Sequence, residues 1–76
     1  MIKHYEYYNQ IALNISYYRK KAGLTQARLA ERVHISRGHM SNIEAPNVPT
    51  PFTTTILFDI ADALEVELVD LFDFKK

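Results

Sequence analysis

Thr25-Gln26-Ala27-Arg28-Leu29-Ala30-Glu31-Arg32-Val33-His34-Ile35-Ser36-Arg37-Gly38-His39-Met40-Ser41-Asn42-Ile43-Glu44 reads as two short helices with two residues between them. Thr25 is a good N-cap, because its hydroxyl can accept from a free first-turn amide. Leu29, Ala30 and Val33 then recur at helical spacing and mark one buried face. The chain turns at His34-Ile35. Ser36 caps the next helix, which turns Met40 and Ile43 inward and leaves Arg37, Gly38, His39, Ser41 and Asn42 mostly outward. Helices at 25–33 and 36–44 joined so closely must cross steeply. The small Ala30 allows their approach, and Ile35 plugs the turn. Donors and small groups in the first turn of the second helix suit entry into a major groove N-terminus first.

Outward from this pair the helical pattern continues. Upstream, Tyr8, Ile11, Ile15, Tyr18 and Ala22 define the stripe of a helix over about residues 6–22, which Gly23 ends. Downstream, Pro46, Pro49 and Pro51 make the stretch from Ala45 to Phe52 a surface loop. From Thr53 the pattern returns: Leu57, Ile60, Ala61 and Leu64 line a fourth helix, and Leu68, Leu71 and Phe72 a short fifth. Strand-like alternation is absent. The expectation is an all-α, compact five-helix domain over residues 1–76, with no internal repeat and no second domain.

Composition narrows the function classes. The 76 residues include no cysteine, so disulfides and thiolate metal sites are excluded. No apolar run reaches membrane-spanning length and the start lacks a secretory signal, so a cytoplasmic protein without membrane association is expected. His4, His34 and His39 fit no common ligand spacing, so neither metal nor other cofactor is expected. Ser36, His39 and Asp59 lack the motif context of a catalytic triad, and the sequence reads as a non-enzyme. Tyr5, Tyr7, Tyr8, Tyr17 and Tyr18 read as core and interface, Tyr18 as core.

The formal net charge is zero, but it is unevenly placed. Residues 1–44 hold seven Lys or Arg against three acids, and residues 45–76 hold two against six. A basic front and an acidic back orient a small protein toward phosphate even when the sum vanishes.

The combination of Ile15 and Arg19, Gly23-Leu24-Thr25-Gln26, Leu29-Ala30, Ile35-Ser36, Met40, Ile43-Glu44, Ile60 to Leu64, and Leu71-Phe72 resembles the lambda-repressor and Cro-like (XRE-type) helix-turn-helix family over roughly residues 11–72. That resemblance implies a sequence-specific transcriptional regulator, expected to be a repressor, whose third helix reads double-stranded DNA. It implies base reading by Arg37, Gly38, His39 and Asn42. Arg37 would grip guanine O6 and N7, Asn42 adenine N6 and N7, and Gly38 would let the helix sit close. It implies phosphate positioning by Thr25, Gln26, Arg28, Ser36, Ser41 and Asn47, and a structural ion pair between Arg19 and Glu44. His34 stands where the family prefers glycine, at a turn position expected to have positive φ. Proline and asparagine replace the family's usual glycine and cations after Glu44, which implies a smaller salt slope.

One reading helix covers too few base pairs to find a site in a genome, so a homodimer on a palindromic operator is expected. Val69, Phe74 and Phe58 carry apolar surface beyond the needs of the core, and Val69 and Phe74 are the expected interface, with the N-terminal tyrosines as second choice. The competing reading is a protein-interaction module, such as an antitoxin-type subunit that binds a partner protein.

Overall fold

In the computed structural model, which describes residues 4–45 and 50–74, the chain is all-helical. Five helices follow in order: α1 (Tyr5–Lys21), α2 (Gln26–Arg32), α3 (Arg37–Glu44), α4 (Thr54–Leu64) and α5 (Leu68–Leu71). The three N-caps that matter most are hydroxyls. Thr25 Oγ1 accepts from Arg28 N at 3.1 Å, Ser36 Oγ from His39 N at 3.0 Å, and Thr53 Oγ1 from Ile56 N at 3.2 Å. Each satisfies one of the amides that a helix start leaves unpaired.

Three of the connections share one design. Gly23, His34 and Glu65 all adopt left-handed backbone, with φ of 75°, 59° and 56°. Each donates its N–H to the carbonyl three residues back, and the next residue, Leu24, Ile35 or Val66, donates to the carbonyl five back. These paired bonds form the Schellman arrangement, which occupies carbonyls orphaned at a helix end. The apolar residue that follows each left-handed position packs on the core, and the residue after that starts the next helix as its N-cap. Left-handed φ at His34 agrees with the turn read from the sequence.

A single cluster of buried side chains joins all five helices, with Ile15, Leu29, Met40, Ile43, Ile60 and Leu71 as its largest fully buried members. α1 is the hub: it packs against α3, α4 and α5, while α2 lies on α3 and α4. Two polar side chains on the hub are buried with it. Arg19 pairs with Glu44, and Asn14 Nδ2 donates to the carbonyls of Leu71 at 2.9 Å and Asp73 at 3.1 Å.

The buried stripe of α1 differs from the expected one. Ile11, Ala12, Asn14, Ile15 and Arg19 are buried, whereas Ala22 is the exposed C-cap residue. The helix ends at Lys21, so position 22 no longer continues the face. Tyr18 is half-buried and packs at the core's edge. Phe72, expected in the core, is 44% exposed. α5 is one turn long and turns only Leu71 fully inward; Phe72 caps that turn and swings out.

Candidate nucleic-acid interface

The candidate interface is built on the N-terminal turns of α2 and α3. An α-helix start presents free amides and a partial positive charge, so acidic side chains usually stabilise it. α1 and α5 follow this rule with Glu6 and Asp70. α2 and α3 do not: neither has an acid in its first turn, and each carries an arginine there instead, Arg28 and Arg37. Arg28 finds a partner in Glu31 at 3.5 Å, but both side chains are about 70% exposed, so water screens the pair. Arg37, the first residue of α3, is exposed and makes no ion pair among the described residues.

Gly38, Ser41 and Asn42 lie exposed on the same short helix as Arg37, and His39 is half-buried. A Cβ built on Gly38 would meet nothing nearer than Ser36 Oγ at 4.0 Å. The fold therefore has room for alanine at 38. Thr25 and Ser36 are exposed caps whose oxygens accept backbone hydrogen bonds and whose O–H groups can still donate outward. Asn47 lies outside the described residues.

Behind this surface, Arg19 and Glu44 form a buried polar junction. Arg19 Nε lies 3.0 and 2.9 Å from the two Glu44 oxygens, and its Nη1 donates to the Leu24 carbonyl at 2.7 Å. One guanidinium thus ties the end of α1 to the α1–α2 joint and to the end of α3. Gln26, the first residue of α2, joins the same carboxylate: its Nε2 donates to Glu44 Oε1 at 3.3 Å. Sequence reading did not connect Gln26 to Glu44. Nor did it single out Asn14, although position 14 falls three residues after Ile11, on the buried stripe.

Away from the helix-turn-helix, the start of α1 and the residues after α5 meet in an aromatic surface. Tyr7 stacks on Phe74 at 6.1 Å, Phe74 lies 6.4 Å from Phe72, and Tyr8 meets Phe52 edge-on at 5.3 Å. Beside it runs a groove of about 350 Å³ lined by residues that include Tyr7, Tyr8, Ile11, Phe52, Leu57 and Phe72. Val69, at 69% exposure, borders a shallow depression with Phe72 and Phe74. Asp59 lines a groove with Arg32 and His34. Among the described residues, no group of three or more His, Asp or Glu could hold a metal ion, and no helix is long and apolar enough to cross a membrane.

A capped α2, a left-handed joint and a capped α3 sharing a buried face are the elements of a helix-turn-helix. A family model described as helix-turn-helix, of the XRE type that includes lambda repressor and Cro, matches residues 15–71. The chain belongs to that family. Comparison with curated proteins finds no match. The XRE-type family is one of DNA-binding regulators, and its match covers α2 to α5 and the part of α1 from Ile15 onward.

Proposed function

We propose that this XRE-type protein is a sequence-specific transcriptional repressor that binds a palindromic operator as a homodimer, each protomer placing α3 in the major groove. The observation that carries the reading is Arg37. A cation at the N-terminus of a helix opposes the macrodipole by about 0.3–1 kcal/mol, and no ion pair among the described residues offsets it. A guanine edge would, since O6 and N7 accept both prongs of a guanidinium. Asn42 is the companion reader, for adenine, and His39 lies between them on the helix. Thr25, Gln26, Arg28, Ser36 and Ser41 hold the flanking phosphates, with Asn47 completing the set. The open space at Gly38 supports a glycine kept for approach to DNA rather than for the fold.

Exposed polar groups on α3 favour this reading over an adaptor that binds only protein. For the dimer, the support is the continuity of Val69, Phe72, Phe74 and Tyr7 in one apolar surface at the chain ends. The two regions considered separately in the sequence are neighbours in space.

Selection from random duplexes is expected to return a site with two half-sites roughly 10 bp apart. On that site Arg37→Ala should lose about 1–3 kcal/mol and relax preference at one base pair of each half-site. Unchanged preference would remove Arg37 from the reading set. Sedimentation of the protein with the selected duplex tests the assembly; a 1:1 complex on two intact half-sites would overturn the two-fold arrangement.

A further inference from the structure

Glu44 is buried, yet it carries more than the Arg19 pair. Its Oε1 receives two donors, Arg19 Nε at 3.0 Å and Gln26 Nε2 at 3.3 Å. A glutamine amide nitrogen has two hydrogens. With one given to Glu44, the rotation of the amide is fixed and the second hydrogen is left to point away from the carboxylate. Gln26 itself is only half-buried, so that second hydrogen has access to the surface. The anion that fixes it is neutralised by Arg19 and therefore adds little repulsion toward a phosphate.

We infer that Glu44 is a positioning residue for DNA binding: it holds the Gln26 amide in the one rotation that presents its free N–H to a backbone phosphate before DNA arrives. This rests on the reading of Gln26 as a phosphate contact. The gain is preorganisation, because a long side chain that is already ordered loses less rotamer freedom on binding. The contact is also uncharged, so it adds affinity without releasing a counterion.

Removing Glu44 alone would strand a buried guanidinium, so the test removes the pair together. Arg19→Met with Glu44→Met keeps net charge and side-chain length, and replacement of a buried ion pair by apolar residues is often neutral or stabilising. Affinity for a short duplex of arbitrary sequence is measured across a salt series for four proteins: wild type, Gln26→Ala, the Arg19→Met/Glu44→Met pair, and all three substitutions together. Thermal melts establish that each is folded. Gln26→Ala should weaken binding about tenfold, the scale of one hydrogen bond to a charged group, with an unchanged salt slope. The methionine pair should lose several-fold, and the triple variant should bind no more weakly than Gln26→Ala.

A methionine pair that binds like wild type while Gln26→Ala binds weakly would overturn the positioning role and leave the phosphate contact standing. Losses that simply add in the triple variant would overturn it too, since Glu44 would then act by another route. Gln26→Ala with wild-type affinity would sink the phosphate reading and the inference with it. Should the methionine pair not fold, side-chain amide relaxation of the wild-type protein without DNA decides. The Gln26 amide should be as rigid as the Asn14 amide, and a Gln26 amide as mobile as a solvent-exposed glutamine would overturn the inference.

Discussion

α1 holds two buried polar residues five positions apart, and they fasten it in different ways. Arg19 binds a side chain on α3, a charge to a charge, and brings Gln26 and the Leu24 carbonyl into the same network. Among the described residues Asn14 binds backbone alone, the carbonyls of Leu71 and Asp73 at and just after the end of α5. The first fastening holds the helix-turn-helix together, and the second closes the chain ends under the aromatic surface. A junction between buried charges tolerates no partial loss, because each charge depends on the other to offset its desolvation. An amide junction is neutral and degrades more gently.

The difference should appear first in stability. Glu44→Ala strands Arg19 and should destabilise the protein by about 3–5 kcal/mol, measured by denaturant unfolding. Asn14→Ala removes one donor from two carbonyls and should cost about 1–3 kcal/mol. If Asn14→Ala proved the more damaging, the chain-end junction would be the true keystone and the comparison would reverse. The smallest effect sharpens the functional side. Gly38→Ala should stabilise the fold by up to about 1 kcal/mol through helix propensity, while weakening DNA binding. A variant both stabler and equally good at binding would show that the glycine serves no approach to the groove.

How far the sequence could be read follows the range of the interactions. Thr25 and Ser36 are legible as caps because capping is decided within three residues, and both hydroxyl oxygens accept a first-turn amide as expected. The left-handed backbone of His34 came instead from the resemblance, which puts the family's usual glycine at that position. The Arg19 and Glu44 pairing came from resemblance to a family, since nothing local joins positions 25 residues apart. The role of Asn14 is not legible in the sequence, because its partners are carbonyls, which every residue has and no sequence displays. Ala22 and Phe72 were placed inside by a periodicity that continued past the ends of their helices, where the backbone turns away and the face no longer exists. The Gln26 contact with Glu44 needed the crossing of α2 and α3 in three dimensions.

The three joints at Gly23, His34 and Glu65 close with hydrogen bonds between residues three and five apart, whereas the Asn14 bond to Leu71 spans 57. Closing a long loop costs more chain entropy than closing a short one. The joints can therefore assemble early in folding, and the chain-end closure should come after the rate-limiting barrier. A substitution at Asn14 would then act almost wholly on the unfolding limb of a chevron, leaving the folding rate as it was. The protein would come apart from its two ends inward, with the helix-turn-helix the last part to let its amides exchange with solvent.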